Sequence, residues 1–158
     1  MEKMLVRGVT KDTDVARVSI IGVPNVPGIA YKIFGKLAAK NVNVDIILQS
    51  VGRDDTKDIT FTTTKSHLDD TIEVLENLDL VAGLKILTDT AVASVSVVGA
   101  GMESHPGIAA KMFEALFEAD INIQMIATSE IKISVLIDVA DADKAVSSVH
   151  NAFIPELS

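Results

Sequence analysis

The chain has 158 residues, 48% apolar and 23% charged, with no Cys and a formal charge of −8. That is enough apolar material for one sizeable core or two small ones, and the missing thiols exclude a disulfide framework, a thiolate nucleophile and a Cys-based zinc site. The acidic balance repels phosphate backbones, so no nucleic acid partner is expected. The mixed-charge start MEKMLVRGVTKD and the lack of any run of eighteen apolar residues predict a cytoplasmic protein without a membrane span.

In chain order, residues 4–9 are strand-like and lack an evident neighbour. Residues 17–23 form a β-branched run and predict a strand. Pro27-Gly28 then opens a helix with Ile29, Ile33, Leu37 and Ala30, Phe34, Ala38 on one face. Residues 43–51 alternate as a second strand, 52–56 form a turn and 57–64 a third strand. Ser66 and Asp69 have the spacing of a capping box, ahead of a helix with Leu68, Ile72, Leu75 and Leu78 inward. Residues 84–87 close the set as a fourth strand. The order then recurs as strand 92–98, helix 108–119, strands 122–129 and 131–138, and helix 142–153.

The recurrence is a true repeat. VSIIGVPNVPGIAYKIFGKLAAKNVNVDIILQS, from Val18, realigns with VSVVGAGMESHPGIAAKMFEALFEADINIQMIATS, from Val95. Pro27, Gly28, Ile29, Ala30, Lys32, Phe34, Leu37, Asn43, Ile47 and Ser50 each recur 79 residues on, and the second copy's first loop is two residues longer. The order βαββαβ predicts an α+β fold of two ferredoxin-like units, each an antiparallel sheet with helices on one face and the other face bare. Only five residues follow Phe153, too few for a closing strand, so the N-terminal segment is expected to complete the second sheet. The domains are then 14–89 and 90–158, the latter completed by 1–13.

At Pro27-Gly28 and Pro106-Gly107 a strand ends and a helix starts, leaving orphan backbone N–H groups at the positive end of a helix dipole, where carboxylates bind. Simple alternation turns Val44, Ile46 and Leu48 toward the helices and Asp45, Ile47 and Gln49 onto the bare face beside that helix start. In the second copy Gln124, Ile126 and Thr128 turn outward, with Ser129 and Glu130 at the strand's end. Carboxylate, amide and hydroxyl groups beside a carboxylate-binding helix start suit an α-amino acid, which carries both charges. Each feature alone is common surface chemistry; duplication at matched positions points to a site. His67, His105 and His150 lie in separate elements without ligand spacing, and no metal is expected. His105 is read as loop-shaping, and Asp54, Asp55 and Asp58 as turn chemistry. Gly99-Ala100-Gly101 lacks the rest of a dinucleotide fingerprint and no phosphate loop is present, so no cofactor is expected.

The two repeat segments, with DITFTTT and TSEIKISVLID, resemble the paired ACT domains at the C-terminus of aspartate kinases, over nearly the whole chain. GAGM…HPG and TSEIKISVLI are the most specific parts. The resemblance implies a non-catalytic regulatory chain, since the KFGGTS-like opening of the kinase domain is absent. It fits equally a separate regulatory β subunit or a piece excised from a longer kinase. It implies a lysine or threonine effector, held where ACT sheets of two chains associate, and feedback inhibition as the output. Carried over residue by residue, the contacts are Asn25, Val26, Pro27, Gly28, Ile29 and Ala30 in the first loop, then Asn43, Val44, Asp45 and Gln49. The second copy adds Ile108, Ala109, Asn122, Ile123, Ser129 and Glu130. Asn25 stands where the family commonly has Asp, and Ala109 where some relatives have Thr. Losing a carboxylate removes a charge-assisted partner for a second ammonium, which favours threonine over lysine.

The implied partners are the amino acid, a second copy meeting it through bare sheet faces that include Ile21, Ile47 and Val98, and an aspartate kinase catalytic domain or α subunit. Other chemistries on this fold fit poorly. A phosphate-loop enzyme of the acylphosphatase kind needs an Arg, absent from GVPNVPG and GAGMESHPG, and an RNA-binding sheet needs exposed aromatics that 4% content does not supply. A stand-alone two-ACT regulator of another enzyme or of transcription is the alternative, distinguished by whether a kinase subunit copurifies.

Overall fold

The computed structural model describes residues 6–52, 54–78 and 84–153. Its elements are β1 Val6–Asp12, β2 Ala16–Pro24, α1 Ile29–Ala39, β3 Ile47–Val51, β4 Thr56–Thr63 and α2 Leu68–Glu76, then β5 Lys85–Asp89, β6 Val92–Gly99, α3 Pro106–Glu118, β7 Met125–Thr128, β8 Lys132–Asp138 and α4 Ala142–Ala152. They form two antiparallel four-stranded sheets, ordered β3-β4-β2-β5 and β1-β6-β8-β7. Asp14–Thr90 is one compact unit, and Met1–Thr13 with Ala91–Ser158 the other. We call them the inserted and the flanking unit. Residues 4 and 5 of the expected first strand lie outside the described residues; the rest of it, 6–9, is in β1, which pairs with β6 from Val6↔Gly99 to Asp12↔Ser94. No helix among the described residues is long and apolar enough to cross a membrane.

Each unit buries one helix-facing layer. In the inserted unit Val18 and Ile20 of β2 and Ile59 and Phe61 of β4 meet Ile29, Ile33 and Leu37 of α1 and Leu75 of α2. The Phe34 ring stands edge-on to Phe61 at 5.4 Å. In the flanking unit Val95, Val97, Val135 and Ile137 meet Met112 and Leu116 of α3 and Ala145 and Val149 of α4, and Val6 of β1 joins them. Burial of each such Val, Leu, Ile, Phe or Met side chain stabilises by about 1.5–3 kcal/mol.

Three local expectations fail. The capping box does not form: Lys65–His67 is a 3-10 turn, α2 starts at Leu68 without a side-chain cap, and Ser66 Oγ meets Thr64 Oγ1 at 3.1 Å. The 3-10 turn rotates the helix start past Ser66. Ala38 is exposed. On α2, Thr71 is buried and Val74 packs on the core in place of Ile72.

The most consequential departure is in the strand after α1. Asp45 N donates to Thr62 O at 3.0 Å while Thr62 N donates to Ile46 O at 3.0 Å, so two residues oppose one, which is a β-bulge. Beyond it Ile47 pairs with Phe61, Leu48 with Thr60 and Gln49 with Ile59. Directly opposed residues share a face, so Ile47 and Gln49 stand on the helix side of this edge strand and Leu48 on the open face. That reverses the expected outward set of Ile47 and Gln49 and the expected inward Leu48. Asp45 remains outward, Val44 packs on the helix-side core, and Ile46 is buried but outside that core. The same bulge recurs in the flanking unit. Gln124 N donates to Leu136 O at 2.8 Å while Met125 already pairs with Leu136. Ile126 and Thr128 therefore oppose Val135 and Ile133, on the helix side, contrary to the expected outward set. One extra residue slips the register by one and exchanges the faces.

Candidate functional site

β2 ends at Pro24, and Asn25 to Gly28 carry the chain into α1. Gly28 takes φ +87, a left-handed conformation that turns the chain into the helix, and no side chain caps α1. Ile29 N reaches Val26 O only at 3.5 Å, so the first amide of α1 is weakly engaged. Val26 is half-exposed, and Asn25, Pro27 and Gly28 are exposed. The loop is fixed from one side, where Asn25 N donates to Asp55 O at 2.8 Å. Asp55 and Asp54, at φ 58 and 55, form the β3–β4 hairpin turn, of the type in which two left-handed residues match strand twist. Asp58 turns back to the sheet, its Oδ1 accepting from Gly22 N at 3.0 Å.

The flanking unit builds the corresponding loop differently. Its two extra residues wind into a 3-10 turn, Met102–Ser104, after Gly101 at φ 66, and α3 begins at Pro106 itself. Pro at the first helical position loses no bond, since that N–H would be an orphan. The Pro-Gly pair therefore lies inside the helix, not before it as expected. The His105 ring Nδ1 lies 2.8 Å from Gly101 O, closing the loop, and Met102, 1% exposed, anchors it in the core. Met102 N donates to Glu130 O at 2.9 Å, so here too the loop is bonded to the facing hairpin.

Not all the candidates come together. In the inserted unit Asn25, Val26, Pro27, Gly28, Ile29 and Ala30 sit at the end of the sheet where Pro24 pairs with Thr56. Asn43 to Asp45 sit at the opposite end, where Thr63 Oγ1 donates to Asn43 O at 2.5 Å and Thr62 O accepts from Asp45 N. Six residues of β4 separate the ends, about 20 Å at ~3.3 Å per residue. Gln49, opposite Ile59, is between them. The expected single cradle, with Asp45 beside the helix start, is therefore not assembled within one unit; a strand following a helix begins where the helix ends. In the flanking unit Ile108, Ala109, Ser129 and Glu130 share the loop end, and Asn122 and Ile123, which precede β7, the other. Ser129 Oγ is engaged within its own turn, near Ile131 N at 3.4 Å and Lys132 N at 3.3 Å.

The residues that sequence reasoning missed are those holding the segment before β3. That backbone is irregular from Val42 to Ile46, and side chains replace the ladder. Thr62 Oγ1 accepts from Ile46 N at 3.1 Å, Thr63 Oγ1 donates to Asn43 O, and His67 Nδ1 accepts from Asn43 N at 3.3 Å. Buried Thr62 and Thr63 in TFTTT were the available signal, since hydroxyls buried at a strand end need partners. No group of three His, Asp or Glu among the described residues is placed to hold a metal. Each unit also has a groove between its two helices, of about 470 Å³ in the inserted and 480 Å³ in the flanking unit, lined by none of the candidates.

ACT domain models match residues 17–80 and 95–153. The chain is 45% identical over 154 residues to an aspartate kinase of Stutzerimonas stutzeri, covering 97% of this chain and 37% of that protein; it thus spans little more than a third of the curated relatives it matches. Among solved structures, the ligand-free regulatory subunit of aspartate kinase from Thermus thermophilus superimposes with a TM-score of 0.87 at 40% identity, over 93% of this chain and 98% of that one. A structure of aspartokinase alpha and beta subunits gives 0.85 at 44% identity, over 94% and 99%.

Proposed function

This chain belongs to the aspartate kinase family, as a pair of its ACT regulatory domains, and we propose from that premise that it senses threonine and conveys feedback inhibition to an aspartate kinase catalytic domain or α subunit without catalysing a step itself. The observation that carries this reading is the matched tie between loop and hairpin in both units, Asn25 N to Asp55 O and Met102 N to Glu130 O. It holds an exposed helix start ready for a carboxylate before any ligand arrives, and a pre-formed site loses less entropy on binding.

The two halves of the site divide the work. The loop end offers amides to the carboxylate, and the Asn43–Asp45 end offers a carboxylate and carbonyls to the ammonium. About 20 Å within a unit is far longer than an amino acid, so one ligand touches both halves only when a second copy supplies one of them, which makes the homodimer part of the site. A ligand clamped in this way stabilises one association geometry. A coupling of about 1–3 kcal/mol then suffices to shift an attached or bound catalytic domain between states.

Calorimetry with threonine and lysine tests the reading, with sedimentation of the same samples. We expect threonine to bind and favour the dimer, lysine to bind more weakly, and Asp45→Ala to weaken threonine about tenfold or more, the worth of a charge-assisted hydrogen bond. Binding of lysine but not threonine would reverse the order of effectors, and binding of neither would end the proposal.

A further inference from the structure

Asn43 lies in irregular backbone, yet both its peptide groups are taken by side chains: its O accepts from Thr63 Oγ1 at 2.5 Å and its N donates to His67 Nδ1 at 3.3 Å. His67 is itself fixed at two points, its N donating to Thr64 O at 3.1 Å and its O accepting from the hydroxyl of Thr71, a fully buried residue, at 2.7 Å. The imidazole is thus a strut between the start of α2 and the segment carrying Asn43, Val44 and Asp45. A ring nitrogen accepts a hydrogen bond only while it carries no proton. The doubly protonated ring repels the Asn43 N–H and places a positive charge at the positive end of α2, an unfavourable position.

We propose that His67 is a positioning residue for the effector segment, and that its protonation loosens this segment and makes effector binding acid-sensitive. This rests on the reading of Asn43–Asp45 as effector contacts. The charged groups around the strut are Lys65, Asp69 and Asp70 on its own turn and helix, Asp14, whose Oδ1 accepts from Lys65 N at 3.0 Å, and Asp45 on the segment it holds. Threonine itself changes no charge between pH 5.5 and 8, so a change in affinity there reports on the protein. The flanking unit lacks the device. By the repeat, Asp141 stands at the position of His67, Leu136 and Ile137 at those of Thr62 and Thr63, and Ala145 at that of Thr71.

The test is threonine calorimetry at pH 8 and pH 5.5 on the 158-residue chain, His67→Asn, whose amide oxygen replaces the Nδ1 acceptor without titrating, and His67→Leu, which removes it. We expect the unmodified chain to lose affinity about 3- to 10-fold at pH 5.5, the worth of one neutral hydrogen bond. His67→Asn should stay tight at both values, and His67→Leu should be weaker by that factor at both. Equal pH dependence in all three proteins would overturn the proposal. In parallel, the exchange protection of the Asn43 amide, measured without ligand, reads the strut itself. If threonine binds no variant but Asn43 protection falls with acid only where His67 is present, the effector reading has failed and the strut stands; unchanged protection sinks the strut.

Discussion

Pro27–Ala30 and Pro106–Ala109 spell the same four residues, yet the first quartet straddles a left-handed turn and a helix start while the second lies wholly in a helix. Loop length accounts for the difference. Two extra residues let the flanking unit wind a 3-10 turn and enter the helix at Pro106, whereas the shorter loop must turn sharply at Gly28. A second contrast lies at the other end of each sheet, where hydroxyls and His67 hold the inserted unit's irregular segment, while Leu136, Ile137, Ala145 and Asp141 occupy the matching places of the flanking unit. Identity of sequence between repeats therefore marks common ancestry of the core more reliably than equality of the sites.

Three changes to the chain are expected to act on one unit or one Pro-Gly pair and spare the other. The largest expected effect follows from deleting residues 1–10. That removes most of an edge strand and the Val6 core side chain from the flanking unit alone, so hydrogen exchange should show β6 and β8 losing their protection while β2 and β4 keep theirs; intact protection across β8 would show that the unit holds together without β1. A smaller effect is expected from Thr62→Val. It strips the acceptor from Ile46 N–H in a buried position and should destabilise the inserted unit by about 1–3 kcal/mol, read as a lowered denaturation midpoint for that unit only. The smallest effect separates the two Pro-Gly pairs. Gly28→Ala forces a side chain into the left-handed region and should cost about 1–2 kcal/mol, whereas Gly107→Ala, in a helix and with no atom within 4 Å of its new Cβ, should be neutral or stabilise by about 0.5–1 kcal/mol. Equal costs at both would contradict the difference in backbone.

Much of this was legible before any coordinates. Element order, the buried Ile29, Ile33 and Leu37 stripe and the recurrence of both helices follow from periods of 3.6 and 2, which are local properties of the chain. The loop-shaping role of His105 was also legible, from a ring placed between a glycine pair and a helix start. The faces of β3 and β7 were not. Alternation is counted from a starting residue, and the bulges at Asp45–Ile46 and Gln124–Met125 insert one uncounted position, which exchanges inside and outside for every residue after it.

The duplication, the βαββαβ order, the Ile29, Ile33 and Leu37 stripe and the residue types available to an amino acid were fixed by the chain alone, because each depends on spacing along it. Only the tertiary structure decided that Asn25–Ala30 and Asn43–Asp45 lie at opposite ends of one sheet, that His67 and the threonines brace the second segment, and that equal Pro-Gly pairs differ in conformation. Those outcomes depend on which backbone groups meet across strands, and a hydrogen bond between Asn43 and His67 leaves no period in the sequence from which to read it.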